Sequence, residues 1–544
     1  MNSRTECIKK LVSGSFDVLI IGGGITGAGI ALDAASRGLK TALIEKNDFA
    51  WGTSSRSTKL IHGGLRYLKQ LEFGLVKEVG SERAIVHKLA PHLVVAEKML
   101  LPLKEGRGFG TLLTSFGLKL YDWLAGVKEA DQRKMLTRQQ TLRHEPLLKP
   151  DGIKGGGLYA EYRTDDARLT LEIIKTAISY GAVISNYVEA NAFQYTHEKV
   201  SGVTVTDHVT QRSFPIQANQ IVNATGPWVD QLRENDKSKT GKTLHLTKGV
   251  HIVVPREKLP VQQSIYFDVP DGRMIFAIPR GRTTYIGTTD TDYVQDIDHV
   301  VTTQEDANYL IDAVNDSFPA VKLSLNDVES SWAGLRPLIH EEGKSASELS
   351  RKDEIFVSHS GLLSIAGGKL TGYRKMAERV VDMLAERSER DDLLECFTDK
   401  ISLNKNNFNN ADAVSEFKQK MSAQLASFNL AAYTDYLIEN YGRQTEEIIR
   451  LLAACSDADP SMRLARAELK FTIMNEMVIS VLDFFIRRTG MLFFDMPRLL
   501  LVKDVILTDM KSLMHWDATQ LQAEQEKLEQ AIREARIAPL NSSP

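Results

Sequence analysis

A glycine-rich turn near the start of the chain constrains the fold most strongly. The apolar residues 18–21 lead into Gly22, Gly24 and Gly27, whose spacing is Gly-x-Gly-x-x-Gly, and a segment rich in small residues follows. Such a turn lets the backbone approach a pyrophosphate, which then lies at a helix N-terminus. Glu45 ends the next apolar run, where a carboxylate can accept hydrogen bonds from ribose hydroxyls and repel a 2′-phosphate. The pattern predicts a β-α-β unit that binds FAD or NAD, and not NADP.

Two later glycine motifs favour FAD over NAD. Residues 222–226 (VNATG) end a predicted strand, and residues 365–371 (IAGGKLT) end another strand and open a helix. A second helix N-terminus can stabilise negative charge on a reduced flavin ring. The predicted cofactor contacts lie in these motifs and in the polar loop after Glu45: Gly22, Gly24, Ile25, Thr26, Gly27, Glu45, Lys46, Thr53, Ser54, Ser55, Lys59, Leu60, His62, Gly63, Gly64, Val188, Ala224, Thr225, Gly226, Gly368, Lys369, Leu370 and Thr371.

Length and composition exclude several other classes of protein. The chain has 544 residues, which corresponds to roughly two to four domains. A net charge of −3 argues against nucleic-acid binding. The three cysteines, Cys7, Cys396 and Cys455, are far apart and form no metal-binding pattern, so we expect free thiols and no metal. No secretory signal and no membrane-spanning run is expected.

The order of strand and helix patterns predicts an α/β protein with a second sheet and a helical tail. The Rossmann-type FAD-binding domain is assigned to residues 15–80, 150–245 and 345–388. Short strands at 251–254, 264–267, 274–278 and 284–287 predict an antiparallel sheet in a substrate-binding domain, which comprises residues 81–149 and 246–344. An Asn-rich linker (389–410) precedes an all-helical C-terminal domain (411–544) with predicted helices at 411–428, 445–454, 465–488 and 519–537.

Several longer motifs resemble one flavoprotein family. They are the opening glycine motif and the segments at residues 57–68 (STKLIHGGLRYL), 165–169, 222–228, 248–255, 286–290, 334–338 and 367–375 (GGKLTGYRK). In these segments the chain resembles FAD-dependent glycerol-3-phosphate dehydrogenases, within the D-amino-acid-oxidase-like superfamily. The resemblance runs from about residue 15 to about 380. It continues more weakly at residues 467–470 (AELK) and 487–489 (RRT).

The resemblance implies a reaction and a set of site residues. The family oxidises sn-glycerol 3-phosphate to dihydroxyacetone phosphate, with hydride transfer to flavin N5, and passes the electrons to a membrane quinone. The resemblance places Arg66, Arg336 and Lys369 in the substrate pocket, where cations suit a phosphate monoester. His62 and His251 are the candidate general bases, since histidine titrates near neutral pH, and both stay open.

The sequence also leaves open other functions and whether the protein contacts a membrane. The alternatives are an oxygen-using glycerol-3-phosphate oxidase, an amine or amino-acid oxidase of the same superfamily, and a non-catalytic scaffold with an FAD-type fold. Residues 109–126 are mostly apolar and flanked by basic residues, which suits either a membrane interface or a buried helix. We expect a cytoplasmic protein that is peripheral on the inner face of the cell membrane, and a homodimer is possible.

Overall fold

The structure is a computed structural model that describes residues 4–61, 73–105, 133–341 and 353–537. The predicted site residues His62, Gly63, Gly64 and Arg66 lie outside these ranges, and so does the apolar segment 109–126. The described strands are β1 Ser15–Ile21, β2 Thr41–Ile44, β3 Leu60–Ile61, β4 Val95–Lys104, β5 Lys134–Thr137, β6 Ile153–Arg163, β7 Val183–Ser185, β8 Val188–Thr196, β9 Lys199–Asp207, β10 Arg212–Asn223, β11 Lys242–Pro255, β12 Ser264–Asp268, β13 Met274–Arg280, β14 Thr283–Gly287, β15 Thr291–Asp292, β16 Ser330–Glu341, β17 Glu354–Val357 and β18 Leu363–Ala366.

The described α-helices are unevenly distributed along the chain. Eight of them precede residue 389 and are interspersed with the strands: α1 Arg4–Ser13, α2 Ile25–Ser36, α3 Phe73–Leu89, α4 Arg138–His144, α5 Asp166–Ser179, α6 Val229–Asn235, α7 Gln304–Ser317 and α8 Tyr373–Ser388. The remainder follow one another without an intervening strand in the described part: α9 Ala411–Ala426, α10 Thr434–Tyr441, α11 Thr445–Ala453, α12 Pro460–Glu476, α13 Met491–Phe494, α14 Met496–Met514 and α15 Ala518–Ala535.

The first sheet is the Rossmann-type sheet that the glycine motif predicts. Its order is β17-β18-β10-β1-β2-β7, in which β18, β10, β1, β2 and β7 run parallel and β17 is antiparallel. The strands β1 and β2 are almost wholly buried, as their continuous apolar runs require when helices cover a sheet. Because α2 connects β1 to β2 while β10 lies on the other side of β1, the strand order reverses beside β1. The carboxyl ends of the strands at such a point form the crevice in which open α/β sheets bind ligands.

The second sheet is mainly antiparallel, as predicted for residues 246–344. Its order is β15-β11-β14-β13-β12-β4-β6-β3, with β16 on β11 and β5 on β6. Two of its strands, β3 and β6, lie in segments that the sequence assigned to the FAD-binding domain. They belong to the second sheet because β3 pairs with β6 and β6 pairs with β4. An apolar run indicates a strand, but it does not indicate which of two sheets the strand joins.

The C-terminal region is helical as predicted, but the helix expected over 465–488 is broken. The helix α12 ends at Glu476, and Met477 has a left-handed backbone with φ 51°. The carboxylate of Asp483 then accepts hydrogen bonds from the N–H groups of Ile479 and Ser480, both at 2.9 Å, and residues 483–488 form a π-helical turn. A side chain that binds nearby backbone N–H groups competes with a continuous helix.

The segment predicted as a linker, 389–410, is bound closely to its surroundings. Leu403 and Asn406 are buried, and the N–H of Asn404 donates to Thr176 Oγ1 at 2.7 Å. The side chain of Asn406 accepts a hydrogen bond from the N–H of Arg443 at 2.8 Å. These contacts join the segment to α5 and to the helical region, so it is a fixed connection and not a solvated tether.

Burial of His92 predicts that acid destabilises the protein. Its ring packs on Phe408, with centroids 5.6 Å apart, and neither ring nitrogen has a hydrogen-bond partner among the described residues. Burial, with smaller contributions from Lys175 and Arg168, lowers its pKa to about 3. Below about pH 6.5 the unfolded chain therefore binds a proton that the folded chain binds only near pH 3, so stability falls as pH decreases through this window.

We expect His92→Phe to reduce this acid sensitivity. Between about pH 7 and about pH 5, one such histidine accounts for about 2 kcal/mol of lost unfolding free energy. Urea unfolding of the variant and of the unaltered protein at both pH values measures the difference. Equal losses in the two proteins would contradict the expectation.

Candidate active site

A cavity of about 240 Å³ lies at the carboxyl ends of the parallel strands. Three segments that follow β1, β2 and β10 line it, together with the loop after β18. These are the segments that carry Gly22–Thr26, Glu45, Ala224–Gly226 and Gly367–Leu370. Motifs that are more than 300 residues apart in sequence thus form one cavity wall.

The first glycine motif adopts a conformation that its glycines make possible. Gly22 has φ +114°, and a Cβ there would lie 2.5 Å from the carbonyl oxygen of Ala224. A Cβ on Gly27 would lie only 1.9 Å from the carbonyl oxygen of Gly22, so α2 packs directly against the end of β1. The two glycines therefore set the first turn of α2 against the sheet, with its N–H groups near the cavity.

The carboxylate of Glu45 is fixed beside this turn. It accepts hydrogen bonds from the N–H of Gly23 at 2.7 Å and from the N–H of Asn47 at 2.9 Å, and Glu45 lines the cavity. Burial raises its pKa, which the two N–H donors oppose. The geometry leaves the side chain available to accept further hydrogen bonds from a ligand in the cavity.

Two tryptophans from different loops lie together on one side of the cavity. Trp51 and Trp228 both line it, with ring centroids 5.6 Å apart. Ser54 lines it too, and its hydroxyl accepts a hydrogen bond from the N–H of Ile25 at 2.9 Å, at the first turn of α2. Lys46 lies over the Trp228 ring at 4.9 Å. The wall is thus partly aromatic, a surface that suits planar ligand groups.

The glycine loop after β18 forms the opposite part of the wall. Gly367 and Gly368 have φ +77° and +80°, and a Cβ on Gly368 would lie 2.5 Å from Met376 Sδ. Lys369 and Leu370 follow in the cavity lining, and a helical turn then leads into α8. Two glycine turns before helices therefore flank one cavity.

The guanidinium of Arg336 is oriented by two neighbours on the second sheet. Its Nη1 donates to Asp290 at 3.2 Å and its Nη2 donates to Thr288 Oγ1 at 2.8 Å. It lies over Gly249, where a Cβ would approach the guanidinium to 2.2 Å. The next residue, Pro337, lines the cavity. Arg336 itself is not among the lining residues, but it adjoins one of them in the chain, and its guanidinium has a pose that only a strand glycine permits.

The side chain of His251 is buried and does not face solvent. It is only 2% exposed, stacks on Trp332 with centroids 4.8 Å apart, and its Nε2 lies 3.0 Å from Thr58 Oγ1. A Cβ on Gly287 would overlap the ring, so this glycine also makes space for a side chain. Burial, followed by the charges of Arg336 and Lys59, holds the pKa of His251 well below its usual range. The imidazole is therefore neutral at pH 7.

The structure brings most of the predicted cofactor residues into the cavity wall, but not all. Five lie in the described part without lining it. They are Gly27, which contacts the backbone of the first turn, the buried Ser55 and Leu60, Thr371, and Lys59. The Nζ of Lys59 is 2.5 Å from Asp166 and 3.8 Å from Asp165, so it is held in an internal ion pair.

Sequence reasoning missed other residues that line the cavity. They include Trp51, Gly52, Ala190, Trp228, Gln231, Pro337, Gly367 and Met376. Trp228 belongs to a motif that the sequence singled out, but nothing in its spacing indicates a wall position. The strand glycines Gly249 and Gly287 were a usable signal, because glycine inside a strand marks the close approach of another group.

Comparison with known proteins shows the family. Residues 17–374 match the FAD dependent oxidoreductase model, and residues 396–521 match the model for the C-terminal domain of alpha-glycerophosphate oxidase. The aerobic glycerol-3-phosphate dehydrogenase of Bacillus subtilis (strain 168) is 47% identical over 548 residues, covering 99% of this chain and 98% of that protein. The chain belongs to the aerobic glycerol-3-phosphate dehydrogenase family. A protein of the same name from Staphylococcus aureus (strain USA300) is 47% identical over 98% of this chain and 97% of its own length.

Two solved structures share the fold of this chain. The glycerol-3-phosphate dehydrogenase from Bacillus halodurans, determined in complex with FAD, matches with a TM-score of 0.85 and 43% identity over 99% of each chain. The L-alpha-glycerophosphate oxidase from Mycoplasma pneumoniae matches with a TM-score of 0.54 and 21% identity over 68% of this chain and 95% of its own. The second likeness is one of fold.

Proposed function

We propose that the protein oxidises sn-glycerol 3-phosphate to dihydroxyacetone phosphate with bound FAD and passes the electrons to a membrane quinone. One observation carries this proposal: a cavity lies between two glycine turns, and two of its lining residues are Pro337, next to the oriented Arg336, and Ser57. Ser57 precedes Thr58, whose hydroxyl lies 3.0 Å from the neutral imidazole of His251. Relatives along the whole chain act on glycerol 3-phosphate according to their names, which supports the substrate. An amine or amino-acid oxidase needs a cation for one carboxylate, whereas this chain also places Lys369 in the cavity wall.

The cavity wall suits FAD in its chemistry. The N–H groups at the start of α2, beside Gly24 and Ile25, would hold the pyrophosphate, because a helix N-terminus favours negative charge. The carboxylate of Glu45 would accept the ribose hydroxyls. Gly368, Lys369 and Leu370 would contact the flavin end. Bound there, FAD supplies the acceptor for the hydride that leaves the substrate.

The protein's own groups would bind and orient the phosphate ester. A phosphate monoester carries nearly two negative charges at pH 7, and paired N–H donors of an arginine suit two of its oxygens. Asp290 and Thr288 hold the Arg336 guanidinium in one orientation, which reduces the entropy lost on binding. Lys369 adds a second positive charge, and Arg66 remains a predicted third.

For the proton of the substrate hydroxyl, His251 is the acceptor that the described residues offer. Its Nδ1 is buried without a hydrogen-bond partner in the described part of the chain, and its lowered pKa keeps the ring in the unprotonated form. A neutral imidazole is the form that accepts a proton. His62 stays the alternative. Replacement of each histidine by Gln, with the pH dependence of flavin bleaching as the readout, separates the two.

Glu45→Ala should weaken FAD binding because the ribose loses a carboxylate acceptor. A hydrogen bond to a charged group contributes about 1.5–3 kcal/mol, so we expect the dissociation constant for FAD to rise at least about tenfold. Flavin release after dilution of the protein measures this constant. The matched control is Glu234→Ala, which removes a carboxylate that pairs with Lys239 on the surface. Equal retention in both variants would remove Glu45 from the site.

An acceptor experiment tests the proposed function as a whole. Glycerol 3-phosphate should bleach the flavin absorbance under anaerobic conditions, and a quinone should restore it faster than oxygen does. Faster recovery with oxygen would assign an oxidase, and bleaching by glycine or sarcosine alone would assign an amine oxidase. A purified protein without flavin absorbance would overturn the proposal.

Membrane association is part of this proposal, because the quinone lies in a membrane. Among the described helices, none combines the length and the apolar character needed to cross a bilayer. We propose a peripheral contact on the cytoplasmic face, and the mostly apolar residues 109–126 with their basic flanks are its candidate segment. Co-sedimentation with liposomes should be lost when apolar residues of that segment are made polar; no binding by the unaltered protein would contradict the contact. Sedimentation velocity tests the possible homodimer.

A further inference from the structure

A buried charge cluster links the helical region to the loop that follows Glu45. The carboxylate of Asp48 is fully buried and accepts hydrogen bonds from Arg487 Nε at 2.5 Å and from Arg488 Nη1 and Nη2 at 2.7 and 2.8 Å. Asn186 Nδ2 completes its surroundings at 3.1 Å. More than 430 residues of sequence separate Asp48 from the two arginines, which belong to a motif without a role in the reaction proposed above.

The arginines are themselves held firmly in the helical region. Arg488 also donates to the carbonyl oxygen of Glu476 at 2.7 Å, at the point where α12 ends. Arg487 Nη2 donates to Asp483 at 2.8 Å, and the hydroxyl of Tyr187 donates to the same Asp483 oxygen at 2.7 Å. The π-helical turn at 483–488 therefore presents two fixed cations to Asp48.

Asp48 lies in the chain between two residues that line the cavity, Glu45 and Trp51. Only Lys46 and Asn47 separate it from Glu45, and the N–H of Asn47 donates to the Glu45 carboxylate. On the other side, the carbonyl oxygen of Asp48 accepts from the N–H of Trp51 at 3.1 Å, and Trp51 lines the cavity. A displacement of Asp48 would thus move two groups of the wall together.

The ionised state of Asp48 depends on the arginines. Burial by itself disfavours the carboxylate, but the charges and hydrogen bonds of Arg488 and Arg487 outweigh burial and keep the pKa of Asp48 below its ordinary value. Without them the loop would carry an uncompensated buried charge, which is strongly unfavourable. The docked helical region therefore stabilises the loop in this position.

We infer that Arg487 and Arg488 are positioning residues for the cofactor site, because they fix the 45–51 loop through Asp48. The helical region is thereby a part of the nucleotide-binding machinery, although neither arginine lines the cavity. This inference rests on the proposed binding of FAD to the cavity. It assigns the effect to the adenosine half of the cofactor, where Glu45 lies.

The test is FAD retention by the full-length protein carrying Arg487→Met. Arg488 still pairs with Asp48 in this variant, which favours folding, and we expect the FAD dissociation constant to rise about tenfold. Arg487→Lys keeps the positive charge but loses the planar set of guanidinium donors. Its FAD dissociation constant should lie between those of Arg487→Met and the unaltered protein. If Arg487→Met does not fold, the lysine variant supplies the measurement.

A matched control separates positioning from general stability. Arg498→Met breaks the buried pair of Arg498 with Glu468, 2.9 Å apart and wholly within the helical region, and should leave FAD retention unchanged. A second readout is a double-mutant cycle, in which Arg487→Met should have a smaller effect in the Glu45→Ala background. The inference would be overturned if Arg487→Met retained FAD like the unaltered protein, or if Arg487→Met and Arg498→Met lost equal amounts of FAD. It would also be overturned if the effects of Arg487→Met and Glu45→Ala on the FAD dissociation constant were strictly additive. Absence of FAD from the unaltered protein would instead refute the proposed function.

Discussion

Arg336→Met should raise the concentration of glycerol 3-phosphate needed for half-bleaching of the flavin by about 100-fold. Each hydrogen bond to a charged group contributes about 1.5–3 kcal/mol. Since about 1.4 kcal/mol is a factor of ten in an equilibrium constant, the loss of two such bonds accounts for this change. The guanidinium of Arg336 is oriented by Asp290 and Thr288 before any substrate binds, so its loss removes a preformed pair of donors. Methionine keeps much of the side-chain length and apolar surface, which limits the structural change.

Two companion variants make this result interpretable. Arg336→Lys retains the charge without the planar pair of donors, so we expect an intermediate concentration. Arg282→Met is the matched control, because Arg282 belongs to the same domain but pairs with Glu329 on the surface. The quantity measured is the anaerobic bleaching curve at increasing substrate concentration. An unchanged curve for Arg336→Met would remove this residue from the phosphate clamp.

Gly27→Ala should abolish FAD binding in the protein as purified. The added Cβ would lie 1.9 Å from the carbonyl oxygen of Gly22, far inside van der Waals contact, and neither backbone segment can yield without separating α2 from β1. Overpacking of this kind costs about 1–3 kcal/mol or more, and here the strain falls on the turn that would hold the pyrophosphate. We expect a colourless or nearly colourless protein.

The ratio of flavin to protein absorbance measures this outcome. Gly372→Ala is the matched control, because Gly372 has a negative φ and, chain neighbours aside, no atom of the described residues lies within 4 Å of its added Cβ. It should retain FAD and keep its yellow colour. Full flavin occupancy in Gly27→Ala would show that the helix and the strand can separate without loss of the site.

Both predictions concern the N-terminal two-thirds of the chain, whereas the inference from Asp48 gives the helical region a role in the same site. The second matched family model covers residues 396–521, which contain both arginines. A helical domain that supplies Arg487 and Arg488 to a loop of the first sheet would couple folding of the C-terminal region to cofactor binding. Binding of a ligand to the folded state alone stabilises that state, so FAD should in turn stabilise the docked helical region.

The sequence by itself determined the parts of this protein that depend on contiguous residues. The spacing of Gly22, Gly24 and Gly27 and the apolar runs beside them specify a strand, a turn and a helix, because positive φ and close packing are local requirements. The same holds for the glycine turn at Gly367 and Gly368, and for the antiparallel strands of the second sheet. These features, with the longer motifs, were sufficient to predict the Rossmann-type fold and FAD, and the comparisons confirm both.

Only the tertiary structure decided how distant residues meet. Lys59 carries a cation in a polar loop, yet it is buried in an ion pair with Asp166 and Asp165 and does not line the cavity. The sequence around His251 indicates only a histidine on a strand. Its burial comes from contacts with Trp332, Thr58 and Gly287. No local pattern relates Asp48 to Arg487, because their contact depends on how the helical region docks on the first sheet. The physical reason is common to all three: the energy of a buried charge or ring is set by neighbours that folding brings from elsewhere in the chain.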